Sequence, residues 1–504
     1  MTDRRDFNRG KIYGTGSLRP GAPQTRPGAE PETPANRSVR GRGDAGAPAS
    51  PRRGGQTSRA RKDAPTDGGG RLLSKAIQIV AAKGAPMLVA LFIASILLPM
   101  KIYAGPLLLP PYRLILLVCF VPLAIRLFSG KSGKVLPADK LMLAAGLWAV
   151  LAYLKNHGFS VMETAGLYMV EFFGAYLVGR VGVRSANDFR VLVKTLFVIS
   201  LVLLPFAAAE SITRRPVILD LFPMSLPPVD AGVRFGMRRA QTVFAHPIHY
   251  GAFVSMLFGL SWYVLDKDKS FVARWPKAII AGVSTVFSLS TGALLGFMIQ
   301  GILILYEAVM KANAKRWRIF GWGVVIGYVI LDMIATKSPF HVLVHRLTFS
   351  SGSSYNRILI FQYGIENVKD NPLFGLGNHD WVRPTYMSAS ADNFWLLTAM
   401  KFGIPGFLFL ALAVIWLIRN VSRSELTDPL ARACRAGYLT ALGGMILAGG
   451  TVHYWGNIFS FIVMVIGAGA WMAQPQPPSA QPTDAPDTEQ SQRRKTRRSR
   501  ETSE

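Results

Sequence analysis

Apolar segments long enough to cross a bilayer follow one another along most of the chain. A spanning helix needs about 17 to 25 mostly apolar residues, which predicts spans at residues 86–103, 107–127, 139–155, 164–180, 190–209, 246–264, 317–335, 393–418, 435–451 and 454–472. The run 276–310 is too long for one span, and its polar stretch Ser288-Leu-Ser-Thr-Gly292 predicts a turn between two helices. We therefore expect an all-α integral membrane protein with about twelve transmembrane helices.

Polar intervals divide the chain into a membrane domain and two tails. Residues 1–70 and 473–504 lack apolar residues at any regular period, so we expect them to be disordered basic tails around a polytopic membrane domain at 71–472. Residues 72–82 are expected to form an amphipathic helix on the membrane surface. The interval 336–392 is long for a loop between spans, which favours a functional role.

The distribution of charge predicts the orientation in the membrane. The net charge is +28 although half of the residues are hydrophobic, a combination that fits a membrane protein with basic ends better than a soluble globule. Lys and Arg concentrate in five short loops, at 126–134, 180–190, 267–274, 311–318 and 419–435. The positive-inside rule then places these loops and both tails in the cytoplasm. Basic tails beside spans favour lipid contact over nucleic-acid binding, so no nucleic acid is expected as a partner.

The same rule places the intervals 210–245 and 336–392 outside, in the periplasm. Both are basic, against the topological trend, and we interpret this as a site for an anionic ligand, with contact to outer-leaflet headgroups as the alternative. All seven histidines lie on or near this side, but the pairs His246/His249 and His341/His345 have no acidic or cysteine partner nearby. Cys119 lies far from the only other cysteine. We therefore expect no metal, no disulfide and no cofactor.

Four motifs in order resemble the O-antigen ligase and polymerase superfamily, most closely its exopolysaccharide-polymerase branch. They are Ser354-Tyr-Asn-Arg357, Asn371-Pro-Leu-Phe-Gly-Leu-Gly377, Asp392-Asn393-Phe394-Trp395-Leu396 and Phe402-Gly-Ile-Pro-Gly406. Upstream, Arg234-Phe-Gly-Met-Arg-Arg-Ala240 is similar to the arginine-containing loop of that family, and the resemblance covers residues 86–472. Two positions depart from it, because Asp392 stands where ligases often have His and Thr291 where many members have Arg.

The resemblance implies transfer of glycan from an undecaprenyl-diphosphate carrier to an acceptor glycan or lipid, on the periplasmic face of the bacterial cytoplasmic membrane. The leaving diphosphate needs cations, and arginine forms paired hydrogen bonds to phosphate. The candidates for diphosphate binding are Arg238, Arg239 and Arg357. Asp392 is the first candidate for the general base and His379 the second, and Asn393 and Trp395 are candidates for substrate binding. Apolar residues at helical spacing after Arg357 predict an amphipathic helix across the membrane face: Ile358, Phe361, Ile365 and Val368.

The sequence is compatible with several functions. Polymerisation of glycan repeat units is preferred over ligation to a lipid, because Asp392 departs from the histidine of ligases. A lipid-linked oligosaccharide flippase or exporter is the alternative from another class. The sparse charges within the spans argue against it, since transporters usually carry more ionisable residues at that depth. A further alternative is a non-catalytic subunit whose tails dock onto other polysaccharide assembly proteins.

Overall fold

The computed structural model describes residues 85–104, 107–222, 229, 232–334 and 351–475. Its helices are α1 Ala85–Leu97, α2 Pro111–Phe128, α3 Pro137–His157, α4 Met162–Met169, α5 Ala175–Gly182, α6 Ala186–Thr213, α7 Val217–Asp220, α8 Pro247–Leu260, α9 Trp275–Phe287, α10 Thr291–Val309, α11 Arg316–Ile334, α12 Ser351–Asp370, α13 Phe394–Arg423, α14 Pro429–Gly449 and α15 Gly456–Ala468. Single π-helical turns at Val170–Gly174 and Ser261–Leu265 continue α4 into α5 and extend α8. The strands β1 Tyr103–Ala104 and β2 Leu107–Leu108 pair antiparallel, as do β3 Val233–Arg234 and β4 Met237–Arg238.

Some predicted features lie outside the described residues. They are the tail at 1–70, the amphipathic helix at 72–82, the part of the long interval at 336–350 with His341 and His345, and the tail from residue 476 onward.

Eight helical segments in the described residues are long and apolar enough to cross a membrane, which supports a mostly helical, multi-pass membrane protein. They are Pro111–Phe128, Pro137–Gly182, Ala186–Thr213, Pro247–Leu265, Thr291–Val309, Arg316–Ile334, Phe394–Arg423 and Gly456–Ala473. Three other predicted spans overlap α1 and α9, which are short, and α14, which is less apolar. The segment Pro137–Gly182 contains two predicted spans. The expected count of about twelve is therefore not confirmed. The predicted turn at 288–292 is confirmed, because α9 ends at Phe287 and α10 begins at Thr291.

Two helices form the centre of the membrane domain. Nearly all of Pro247–Leu265 and Gly456–Ala473 is buried inside the protein, and Phe253 meets Phe461 there with ring centroids 5.1 Å apart. A helix that is apolar all round is expected to be buried in this way. By contrast, α11 is long and apolar enough to span a membrane, but none of its residues is buried inside the protein. The helix α11 therefore presents its apolar surface outward, as a lipid-facing helix does.

The loop Asn371–Gly377, called the docking loop below, packs into a break in α13. The break lies at Gly403, whose φ of 71° and ψ of 179° form a conformation that glycine alone adopts readily. Two loop amides, those of Leu376 and Gly377, donate to α13 carbonyl oxygens beside the break, at 2.8 and 2.9 Å. In return the amide of Ile404 donates to a loop carbonyl at 2.7 Å. The loop thus replaces the hydrogen bonds that the break removes from the helix.

The structure confirms a helix after Arg357, as part of α12, but no residue of the predicted apolar row is fully buried. Its buried side includes Ile360, which is 1% exposed, and Gly364, where an added Cβ would lie 2.6 Å from the Leu396 side chain of α13. Phe361, from the predicted apolar row, is exposed. The helix α12 therefore packs on α13 through Gly364. Phe361 lies outside this contact.

Candidate active site

A short β-hairpin carries the arginines of the first outer interval. Strands β3 and β4 pair with Arg234 opposite Met237, and Phe235-Gly236 forms the turn between them. Both turn residues have positive φ, 53° and 75°, which is the type I′ pattern that matches the twist of a hairpin. Opposite residues share a face and neighbours alternate. Arg234 and Arg239 therefore belong to one face of the hairpin, and Arg238 belongs to the other.

The face with Arg234 and Arg239 rests on the turn between α9 and α10. The Arg234 guanidinium donates to the carbonyl oxygen of Leu289 at 2.7 Å, and Arg239 Nε donates to that of Ser288 at 3.4 Å. The backbone amide of Ala240 donates to the carbonyl oxygen of Phe287 at 2.9 Å. Arg239 is only 7% exposed. The turn predicted from its polar residues is therefore the platform that holds these two arginines.

Arg238, a predicted diphosphate ligand, has a different neighbour. Its Nε lies 3.5 Å from Oε1 of Glu210 at the end of α6, where it forms an ion pair. Glu210 is buried and also accepts hydrogen bonds from the amides of Gln241 at 3.3 Å and Thr242 at 2.9 Å. Glu210 thus holds Arg238, whereas the turn between α9 and α10 holds Arg239. The two side chains have different partners although the residues are adjacent in sequence.

Asp392 lies just before α13, and its neighbour performs the capping. Asn393 is the N-cap, because its side-chain oxygen accepts from the amide of Leu396 at 3.0 Å. Asp392 accepts instead from the Ser390 hydroxyl at 3.0 Å and remains partly exposed. An aspartate at a helix start is most often the cap. Here the carboxylate of Asp392 is left to act on groups outside the helix.

Arg234, Arg239, Arg357 and Asp392 form one electrostatic group, called the arginine cluster below. Burial, and then the charge of Arg234, lower the pKa of Arg239 to about 10, and Asp392 opposes both effects. Burial also lowers the pKa of Arg357, where Asp392 again raises the pKa and Arg234 again lowers it. Even a pKa of about 10 leaves an arginine protonated at neutral pH. Two arginines coupled to one carboxylate, with Arg234 coupled to both of them, make this a site suited to a polyanion.

His379 and Trp395, two other candidates, make contacts of their own. The His379 ring lies on that of His157 at the end of α3, with centroids 4.1 Å apart, and its Nε2 is 3.4 Å from the carbonyl oxygen of Asn156. The indole N–H of Trp395 donates to the carbonyl oxygen of Ile446 in α14 at 2.9 Å. The structure therefore places His379 at the end of α3 and ties Trp395 to α14.

Three histidines surround Trp455 beside the arginine cluster. The Trp455 ring lies 3.9 Å from that of His249, 5.6 Å from that of His246 and 5.2 Å from that of His453, between ring centroids. Burial, and then Arg239, lowers the pKa of His246 to about 4. Burial, followed by the charge of Lys401, lowers the pKa of His453 to about 3. Both rings are therefore neutral at neutral pH and add no positive charge to the cluster.

Sequence reasoning brought Arg239, Arg357 and Asp392 together but left out Arg234 as a ligand. The signal for Arg234 was the Phe235-Gly236 pair, which sets the hairpin register and so the face of each arginine. The grouping of His246 and His249 with Trp455 had no such local signal, because it depends on how α8 packs against the segment before α15.

Residues 277–411 match a family model described as O-antigen ligase. The match includes Arg357 and Asp392 and ends ahead of the α14–α15 region, and the hairpin arginines precede it. It confirms the resemblance to the O-antigen ligase and polymerase superfamily that the motifs indicate. No curated protein matches the chain significantly.

Proposed function

We propose, on the premise that residues 277–411 carry the O-antigen ligase domain of that superfamily, that this protein transfers glycan from undecaprenyl diphosphate to an acceptor hydroxyl. The observation that supports the proposal most is the arginine cluster, in which Arg239 and Arg357 couple to the same carboxylate. Positive-inside topology supports a location on the periplasmic face of the bacterial cytoplasmic membrane.

The transfer is a displacement at the anomeric carbon of the donor sugar. The acceptor oxygen forms a bond to this carbon, the bond from the carbon to the diphosphate oxygen breaks, and the carrier diphosphate leaves with the electron pair. Arg234, Arg239 and Arg357 stabilise the charge that develops on that leaving group. Asp392 takes the proton of the acceptor hydroxyl as general base. The residues supply charge stabilisation and proton transfer, and no metal enters the scheme.

Polymerisation of repeat units is preferred over ligation, because Asp392 stands where ligases often have histidine. The description of the matched family as O-antigen ligase favours ligation to a lipid acceptor as the second candidate. Both reactions use the same donor and the same displacement. They differ in the acceptor hydroxyl, which is a sugar of a second carrier-linked glycan in one case and a lipid-anchored sugar in the other.

Deletion of the gene, followed by analysis of carrier-linked glycans, separates the candidates. A polymerase predicts single repeat units that accumulate on the carrier at the outer face. A ligase predicts long carrier-linked polymer that is not attached to its acceptor. Carrier-linked units held on the cytoplasmic side would contradict both and favour a flippase.

Complementation of the deletion strain tests the role of Asp392. We expect Asp392→Asn to leave the glycan defect in place, because an amide cannot accept the proton. The matched control is Asp380→Asn, since Asp380 is exposed and pairs with Arg383 in the loop after α12. The control should restore the glycan, and a fully active Asp392→Asn variant would remove Asp392 from the reaction.

A further inference from the structure

A cavity of about 160 Å³ lies beside the arginine cluster, between α3, α4, α13 and the segment that precedes α15. A cavity of roughly 150 Å³ in another protein holds one benzene molecule, so this one has room for a single six-membered ring. Aromatic side chains form much of its wall, among them Tyr168, Phe394 and Trp455. Pockets with mostly aromatic walls and a few polar groups are typical of sites for small organic ligands.

Two charged side chains reach this cavity, and one of them is already neutralised. Glu171 accepts from Arg113 Nε at 2.6 Å and from the Tyr112 hydroxyl at 2.6 Å. Lys401 lies seven residues into α13, about 10 Å along the helix from its start, and no carboxylate of the described residues forms an ion pair with it. Lys401 is partly buried, and an ammonium that loses part of its water without gaining a counter-charge favours an anionic partner. The Lys401 ammonium therefore makes the cavity selective for an anion.

His453 supplies a polar group to the same cavity. Its Nδ1 is buried and has no hydrogen-bond partner among the described residues. Buried polar groups are nearly always hydrogen-bonded in folded proteins, so His453 is an unusual residue in the wall of this cavity. The cavity thus combines a ring-sized space, one cation and a histidine side chain in its wall.

The cavity is connected to the arginine cluster through two side chains. Phe394 lines it and follows Asp392 by two residues at the start of α13. Trp455 also lines it, and its ring meets those of His249 and His246 near the cluster. A glycan held with its reacting hydroxyl at Asp392 would therefore have a neighbouring sugar ring within reach of the cavity.

We propose that this cavity binds one carboxylate-bearing sugar residue of the glycan, with the carboxylate on the Lys401 ammonium and the ring between the aromatic side chains. This inference rests on the function proposed above, and it identifies acidic glycan as the substrate class. A phosphate group of the carrier has the same charge chemistry, but the ring-sized aromatic space favours the sugar.

Binding to the purified full-length chain in lipid nanodiscs tests the assignment without turnover. The probes are the methyl glycoside of glucuronic acid, the methyl glycoside of glucose, and inorganic pyrophosphate, with tryptophan fluorescence as the readout. Hydrogen bonds to a charged group predict that the wild-type protein binds the acidic glycoside about 10- to 100-fold more tightly than the neutral one. Equal affinity for the two glycosides, or no binding of either, would overturn the proposal.

The Lys401→Met variant locates the site, and Lys369→Met is its control, since Lys369 is exposed in the last turn of α12. Lys401→Met should abolish the preference for the acidic glycoside, and Lys369→Met should keep it. Pyrophosphate is the probe for the carrier phosphate. If it displaces the acidic glycoside from the wild type, and if Lys401→Met weakens the binding of both probes equally, the cavity belongs to the carrier phosphate and the sugar assignment is overturned. The wild-type preference decides the outcome even if Lys401→Met does not fold.

The two proposals fail in distinguishable ways. Specific binding of the acidic glycoside by a protein that transfers no glycan would contradict the proposed function and keep the cavity assignment. Active glycan transfer without a preference for the acidic glycoside would keep the proposed function and contradict the cavity assignment.

Discussion

Substitution of Gly403 by alanine is expected to detach the docking loop from the break in α13. The backbone at Gly403 has φ 71° and ψ 179°, and a non-glycine residue held in such a conformation costs about 1–3 kcal/mol. An added Cβ would also lie 2.1 Å from the carbonyl oxygen of Leu373. The loop must therefore move, although three backbone hydrogen bonds join it to α13 at 2.7 to 2.9 Å.

The magnitude follows from these two effects. Each lost hydrogen bond costs about 0.5–1.5 kcal/mol, so the strain together with the loss of one of the three bonds comes to roughly 3 kcal/mol. Because 1.4 kcal/mol is a factor of ten in an equilibrium constant, local opening of the loop should become roughly a hundred times more frequent. Hydrogen exchange measured by mass spectrometry reports this directly in the peptide that contains Leu376 and Gly377.

The matched control is Gly321→Ala in α11, where an added Cβ would meet nothing within 4 Å. Alanine in a regular helix is about 0.5–1 kcal/mol more favourable than glycine, so this variant should exchange like the wild type in the docking loop. Exchange at Leu376 and Gly377 that is unchanged in Gly403→Ala would refute the role assigned to the break.

Three further predictions concern the supports of the site, and thermal unfolding in detergent measures each of them. Glu210→Gln leaves Arg238 without its counter-charge and should destabilise the protein toward the lower end of 3–5 kcal/mol, while the double variant Glu210→Gln/Arg238→Gln should recover part of that loss; a double variant no more stable than the single one would contradict the pairing. Trp148→Phe removes an N–H that donates to two backbone carbonyls at the break at 3.0 and 3.2 Å, and a loss of about 1 kcal/mol is expected, whereas an unchanged midpoint would show that these bonds add nothing. Burial holds the pKa of His246 at about 4 and that of His453 at about 3, so the unfolded chain, with histidine near 6.5, binds more protons and stability should fall as pH drops from about 6.5 toward 4; a variant with glutamine at both positions should show a weaker dependence, and an identical dependence would refute this cause.

The local sequence pattern predicted much of the architecture and part of the site. Helix positions follow from apolar segments, and the turn at 288–292 follows from a polar stretch too short for a loop. Arg357 and Asp392 could be chosen because the family motifs mark them. The face of each hairpin arginine depends on register, which a shift of one residue would reverse.

Other features depend on contacts between distant segments, and these leave no local signal. Pro405 indicates a helix break near Gly403 in the sequence, but the docking loop that occupies this break has no such local signal. The capping role could be given to Asp392 or Asn393 from sequence, and only the side-chain geometry assigns it to Asn393. From sequence, Lys401 is a single charged residue within a predicted span. Its proposed role in binding follows from the cavity, which α3, α4 and α13 help to form.

The most direct test of the central claim is the rate of glycan transfer by the reconstituted protein when single arginines of the cluster are removed. The substrate is the carrier-linked glycan extracted from the deletion strain, and the variants are Arg239→Ala, Arg357→Ala and the control Arg383→Ala, which alters an arginine paired with Asp380. Loss of one preorganised donor to a developing negative charge typically lowers the rate about 100- to 1,000-fold. We predict such a fall for Arg239→Ala and Arg357→Ala and a rate near that of the wild type for Arg383→Ala. Transfer at the wild-type rate by folded Arg239→Ala and Arg357→Ala would contradict the claim that this cluster stabilises the leaving diphosphate.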